Sequence, residues 1–298
     1  MIRVPGPWQH RDIPANGARF HVAEMGNGPL VLLLHGFPMF WWTWRHILPA
    51  LAAAGYRAVA MDLRGYAGSD HPPRGYDPFT LSADVAGVIR SLGARNAVVV
   101  GHGWGAFLGW TSAVLEPSVV RAIVPISMPH PRRLRESLIS DREQRRASDY
   151  VFGFQVPTTP ERDLLQNNAA KVADILRNWS GTPNWPDQAT AEVYQAAMRL
   201  LNTVHCALEY HRWALRSLFR PDGIRFARRM KQPITAPTLQ IHGAVDPAVL
   251  LSSAVGSGDY VSGGYQLYVA ESSGHFPHEE DPSAVSAKLL AWLETLPS

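Results

Sequence analysis

Between residues 19 and 127, short apolar runs alternate with stretches of helical periodicity. Arg19 to Gly26, Leu30 to His35, Tyr56 to Leu63, Asn96 to Gly101 and Val119 to Ser127 read as strands, because each is short, rich in Val, Ile and Leu, and closed by Gly or turn residues. Runs such as VLLLH and AVVVG are apolar at every position rather than at alternate ones. Strands covered on both faces have this pattern, which predicts a parallel sheet between helices. From Pro129 to Pro233 no strand stands out, charges multiply, and amphipathic helices dominate, among them Ala189 to Leu201 and Ala207 to Phe219. Strand-like segments return at Thr238 to His242 and Tyr265 to Val269, and Pro282 to Leu296 closes the chain as an amphipathic helix with Pro at its start. Ser252 to Gly264, rich in Gly and Ser, reads as a flexible loop. One α/β core is expected, formed by residues 1–128 and 233–298, with residues 129–232 inserted as a helical cap.

Composition narrows this picture. At 46% hydrophobic and 18% charged residues, the 298-residue chain can bury a large core, and disorder is excluded. No apolar run approaches the ~18 residues a bilayer span needs, and Met1 to His10 lacks the charged-then-apolar layout of a signal peptide, so a soluble, cytoplasmic protein is expected. Cys206 is the single cysteine, which excludes intramolecular disulfides and cysteine-built metal clusters and reads as core filling. The net charge is +3, and only Lys171, Lys231 and Lys288 of the 28 basic residues are lysine. The densest cluster, Arg132, Arg133, Arg135, Arg142, Arg145 and Arg146, is interleaved with Glu136, Asp141 and Glu143, the pattern of a solvated helix face rather than a nucleic-acid surface.

The segment NAVVVGHGWGAFLGW runs from a buried strand through Gly101-His102-Gly103-Trp104-Gly105 into a helix. Small residues at 101 and 105 permit a turn so tight that residue 103 sits at positive φ, exposed above the sheet, the geometry of a nucleophile elbow. The spacing does not fit a dinucleotide-binding fingerprint. His35-Gly36-Phe37-Pro38 follows another strand, where a backbone N–H can face the elbow and complete an oxyanion hole with the N–H of Trp104. Asp246, after the next-to-last strand, is placed to orient a histidine, and His275, after the last, is placed to act as general base. His102 reads as a buried, hydrogen-bonded residue. His278, Glu279 and Glu280 read as the exposed start of the last helix, with acids complementing its dipole.

Elbow, acid, then histidine is the chain order of α/β-hydrolases, and nearly the whole chain resembles their epoxide hydrolase branch, of the bacterial, soluble type. HGFPMFWWTWRHILPALAAAGYRAVAMDLRGYAGSD is similar to that family's HGFP, WxxWR and DxRGxGxSD blocks in order; SMPHP, DYVFGFQVPTTPE and LEYHRWALRSL resemble its cap motifs. The resemblance implies an α/β-hydrolase fold, with a mostly parallel eight-stranded sheet, helices on both faces and a helical cap. It also implies that Tyr150 and Tyr210 hydrogen-bond the epoxide oxygen and protonate it as the ring opens. A small apolar substrate is implied, with Phe152, Phe154 and Trp179 as candidate pocket residues, while Trp41, Trp42 and Trp44 read chiefly as packing. No cofactor, metal or nucleic acid is implied; a homodimer is compatible with the family, and no residue pattern requires one.

One position departs from the family. Its elbow aspartate attacks the epoxide carbon to form an ester, which His-activated water then hydrolyses. Here the position is Gly103, which has no side chain. Three readings follow: a slow enzyme in which His275, oriented by Asp246, activates water directly; a pseudo-hydrolase that binds an apolar ligand or partner; or a nucleophile-null engineered variant. A serine esterase would need Ser at 103. A haloalkane dehalogenase would need the same missing aspartate, although the Trp104 indole N–H could face a halide.

Overall fold

The structure is a computed structural model describing residues 2–297. Its strands are β1 (Gln9–Ala15), β2 (Ala18–Met25), β3 (Leu30–Leu34), β4 (Arg57–Met61), β5 (Ala97–His102), β6 (Val120–Ile126), β7 (Thr238–Gly243) and β8 (Tyr265–Ala270). They form one sheet in the order β1-β2-β4-β3-β5-β6-β7-β8. The pairs β1–β2 and β2–β4 are antiparallel and the rest parallel. Helices α1 (Ile47–Ala53), α2 (Pro78–Ser91) and α3 (Trp104–Leu115) connect the parallel strands. All seven helices between β6 and β7 lie in the segment that the sequence marks as helical: α4 (Pro131–Ser140), α5 (Arg142–Ala147), α6 (Tyr150–Gly153), α7 (Thr159–Trp179), α8 (Gln188–Met198), α9 (Thr203–Arg216) and α10 (Pro221–Arg229). The chain ends with α11 (Leu251–Ala254), α12 (Pro277–Glu280) and α13 (Pro282–Leu293).

The uninterrupted apolar runs are the central strands. Every residue of β3, β5 and β7 is buried, as strands between two helical layers must be. Local chemistry sets the helix starts: Asp77 accepts the Phe79 and Thr80 N–H groups at 3.1 Å, with Pro78 in the first turn of α2. The described residues contain no helix long and apolar enough to cross a membrane. Cys206 is buried, and its burial pushes the thiol pKa up, away from thiolate chemistry.

Two expectations change. The polar edge strand β1 is additional; only Ile13 and Ala15 of its seven residues are buried, so no apolar run announces it. Ser252 to Gly264 is an ordered segment rather than a free loop. Ser253 donates to Gln144 Oε1 at 2.8 Å, Ser257 Oγ accepts the His130 N–H at 3.1 Å, and Arg133 donates to the Ser252 and Val255 carbonyls. The serines that suggest flexibility are its anchors.

The position of α3 is fixed by backbone contact. A methyl group at Gly101 would overlap the Gly105 carbonyl, and one at Gly105 would overlap the carbonyl of Leu34 in β3. By contrast, Gly109 in the same helix has only Val99 Cγ1 near its Cβ position, at 3.9 Å. Gly105→Ala is therefore expected to destabilise the protein by about 3 kcal/mol or more through overpacking. Gly109→Ala should leave it unchanged or stabilise it by up to about 1 kcal/mol through helix propensity. Urea unfolding of the two variants checks this ordering.

Candidate active site

β5 ends at His102 and α3 begins at Trp104, so the chain reverses over one residue, Gly103, at φ 52 and ψ −116. A side chain in this left-handed region costs about 1–2 kcal/mol, which glycine avoids. A Cβ at 103 would meet only Gly36 Cα at 3.6 Å and His275 Nε2 at 3.8 Å. The elbow therefore opens onto an imidazole.

That imidazole is held on its other side. Its Nδ1 lies 2.8 Å from Asp246 Oδ2, while Asp246 Oδ1 accepts the Ala248 and Val249 N–H groups, each at 2.9 Å. With Nδ1–H donated to the carboxylate, the neutral ring presents the Nε2 lone pair toward Gly103. The backbone of residue 275 is clamped as well: its N–H donates to the Trp179 carbonyl at 2.7 Å, and its carbonyl accepts from His102 Nε2 at 2.8 Å. Burial pulls the pKa of His102 well below the usual histidine value.

The sequence reading of residues 278–280 is corrected. His278 and Glu279 are buried: His278 lies 2.7 Å from Thr43 Oγ1, and Glu279 accepts from Arg45 at 2.6 Å and from the Tyr194 hydroxyl. Glu280 is the residue whose positioning role the sequence does not reveal. Its carboxylate accepts the N–H groups of Gly274 and Phe276, on either side of His275, and those of Gly181 and Thr182 after α7, all at 2.8–3.1 Å. One side chain thus joins the histidine loop to the helical segment. The reading missed it because a dipole-complementing acid and a loop-organising acid have the same spacing.

On the facing side, the Phe37 and Trp104 N–H groups have no acceptor among the described residues. The His35 side chain points elsewhere: Nε2 accepts the Leu63 N–H at 3.0 Å and Nδ1 contacts the Gly36 carbonyl at 3.0 Å, so the ring pins the loop that carries Phe37. Tyr150 packs on Trp179 and Phe154, at ring separations of 5.1 and 5.5 Å, with no hydrogen-bond partner on its hydroxyl. Burial, then nearby Asp246, push its pKa up, so the phenol stays protonated. Trp179 also lies against the His275 ring at 5.3 Å.

Phe152 and the Tyr210 hydroxyl are directed away from this group, although the Tyr210 ring packs 5.7 Å from that of Trp104. Phe152 is 59% exposed, on the solvent side of the short helix α6. Tyr210 donates its hydroxyl to the Arg64 carbonyl at 2.8 Å, among Tyr66 and Tyr76. The next residue, His211, takes the place beside Tyr150: its ring lies 5.9 Å from Tyr150, 5.2 Å from Phe37 and 5.1 Å from Phe154. His211 Nδ1–H donates to the Ala207 carbonyl at 3.2 Å, and Nε2 accepts the Trp104 indole N–H at 3.0 Å. The indole N–H is therefore already engaged, which removes the halide-facing role considered for it. No cluster of three or more His, Cys, Asp or Glu suited to a metal occurs among the described residues.

An acid–histidine pair at the carboxyl ends of the last two strands, facing a strand-to-helix reversal, is the arrangement of α/β-hydrolases, and the chain belongs to that family: the profile of the α/β hydrolase fold matches residues 29–282. Within the family it lies with the epoxide hydrolases. It is 30% identical to the AB hydrolase superfamily protein YfhM of Bacillus subtilis, over 95% of this chain and 96% of that protein. Epoxide hydrolase A of Mycobacterium tuberculosis is 29% identical over 96% of this chain and 97% of its own length. The structure of an epoxide hydrolase from an endophytic Streptomyces superposes with a TM-score of 0.85 at 31% identity, covering 98% of this chain and 97% of that one.

His211 makes stability sensitive to acid. Burial is the main cause that lowers its pKa to about 4 from 6.5, so the unfolded chain takes up this proton at higher pH than the folded one. The contribution is complete above pH 6.5 and lost as pH falls toward 4, on the order of 3 kcal/mol. His102 and His278, also shifted downward by burial, act in the same direction. Unfolding free energy measured across this window should fall less steeply for His211→Phe than for the unaltered protein. Glu280→Ala should cost about 2–4 kcal/mol, because it strands four N–H groups, and calorimetric melting checks it.

Proposed function

We propose that this chain is an epoxide hydrolase that adds water to an apolar epoxide directly, without a covalent enzyme intermediate. The observation that carries the reading is the Asp246-anchored His275 Nε2, 3.8 Å from a Cβ position that no side chain occupies. A water in that space hydrogen-bonds Nε2 and gives it a proton as its oxygen attacks a ring carbon. The C–O bond breaks, and the epoxide oxygen takes the proton of the Tyr150 hydroxyl. Proton return from His275 to Tyr150 through solvent restores both groups and leaves a diol. The Phe37 and Trp104 N–H groups orient the attacking oxygen. Residues 129–232 act as a cap, and the packed rings of Phe37, Phe154, Trp179 and His211 around Tyr150 offer aromatic surface to a small apolar substrate.

This assignment gives Tyr150 the whole of ring-oxygen activation, because the Tyr210 hydroxyl is committed to Arg64. Without nucleophilic catalysis and with one phenol, turnover is slow. The second reading, a pseudo-hydrolase that binds an apolar ligand, is favoured by His211, whose two nitrogens are both engaged and offer the ring oxygen no proton.

A single turnover in ¹⁸O-water separates the possibilities. The unaltered protein should place ¹⁸O in the diol on its first turnover, whereas Gly103→Asp should deliver unlabelled oxygen from its carboxylate and gain the mass of an ester intermediate. His275→Ala should lower the unaltered protein's rate by roughly 10²-fold or more, and unchanged turnover in that variant removes the water mechanism. Ligand binding with no diol from the unaltered protein establishes the pseudo-hydrolase instead.

A further inference from the structure

We propose that the space above Gly103 is a binding site for a small monovalent anion, a carboxylate such as formate or a pseudohalide such as azide, and that the bound anion opens the epoxide in place of the missing side chain. The anion site stands on geometry alone; the ring-opening step rests on the epoxide reading above.

Three observations converge on this space. The Phe37 and Trp104 N–H groups have no acceptor, and the second begins the twelve-residue helix α3, whose dipole places positive potential at the elbow. His275 is 95% buried by its 5% exposure, yet its Nε2 has no partner and faces the Cβ position of residue 103 at 3.8 Å. No other atom beyond the elbow's own neighbours comes within 4 Å of that position except Gly36 Cα. Asp246, the acid of this group, lies behind the imidazole and is occupied by Nδ1–H and two backbone N–H groups. An anion here meets the two backbone N–H donors at the start of α3 and after β3. An aspartate side chain would put its carboxylate in the same place. Formate and azide each have three heavy atoms, one fewer than the carboxymethyl side chain of an aspartate.

The reaction balances without another reagent. The anion's terminal atom forms a bond to a ring carbon, and the C–O bond breaks with its electron pair on oxygen. That oxygen takes the Tyr150 proton, which solvent replaces. Formate yields a β-hydroxyalkyl formate, which water activated at His275 splits to diol and formate; azide yields a 2-azido alcohol, which persists and records the event.

The test uses the unaltered protein, azide and an aryl epoxide. The antisymmetric infrared stretch of azide should shift saturably on adding protein, formate should displace it, and Gly103→Asp should abolish the shift. The 2-azido alcohol should form roughly a hundredfold faster than without protein, with formate inhibiting it. Inhibition by formate needs no variant and stands if Gly103→Asp does not fold. An unshifted azide band overturns the anion site. Diol formation that depends on His275, with no catalysed azido alcohol, overturns the anion's nucleophilic role and leaves the water mechanism standing. Azido alcohol without diol in azide-free solution supports the anion role and overturns the water mechanism.

Discussion

The contact on which the site depends is the approach of α3 to the sheet. Gly105 lies where any side chain would collide with the Leu34 carbonyl, and Gly101 lies beneath Gly105. Because helix and strands meet backbone to backbone, the reversal between them is confined to one residue, and residue 103 is lifted above the carboxyl edge of the sheet. The loop after β3 then passes near enough for Gly36 Cα to lie 3.6 Å from the Cβ position at 103. This brings the Phe37 and Trp104 N–H groups, from separate connections, to the same elbow. A looser packing of α3 would preserve the fold and disperse these donors.

Beside the elbow, His102 and His278 are buried histidines whose surroundings disfavour the charged form. The His102 ring lies between those of His275 and His278, edge-on to the first at 4.9 Å and tilted against the second at 4.5 Å. His275 alone of the three pairs its ring with a carboxylate and turns its second nitrogen to open space. The surrounding low dielectric strengthens that hydrogen bond and keeps the nearby Tyr150 phenol protonated. Glu280 supplies the rigidity, since its carboxylate holds both the residues flanking His275 and the turn after α7.

The parts legible in the sequence are those whose signal is carried by a run or an order. The buried strand β3 and most of β5 are continuously apolar, and Asp246 and His275 follow their strands in sequence. What was not legible depends on direction. Consecutive helical residues point about 100° apart, so one step along α9 changes what a side chain meets; the Tyr210 hydroxyl faces the Arg64 carbonyl, and His211 faces Tyr150. Phe152, on a four-residue helix, gives no periodicity from which to tell its exposed face. The edge strand β1 needs little apolar surface, and Glu280 acts on amides remote in sequence, so neither has a one-dimensional signature.

The side chain that Gly103 lacks and the engaged Tyr210 hydroxyl fall on the same half of the chemistry. In the family mechanism, an elbow carboxylate and a pair of phenols open the ring, after which a histidine, an acid and backbone donors hydrolyse the ester. Gly103 lacks the carboxylate, and His211, with both nitrogens engaged, gives no second phenol. The groups suited to the later half are all present: Asp246 holds His275, two N–H groups lack acceptors, and Glu280 fixes the loop. In the proposed reading, a site that keeps the water-activating groups and a single phenol, Tyr150, is suited to delivering water, or an anion in its position, to a substrate whose ring oxygen needs one proton donor. Under that proposal ring opening is the slow step, and reactive, strained or benzylic epoxides, which need the least assistance in breaking the C–O bond, are the substrates it selects.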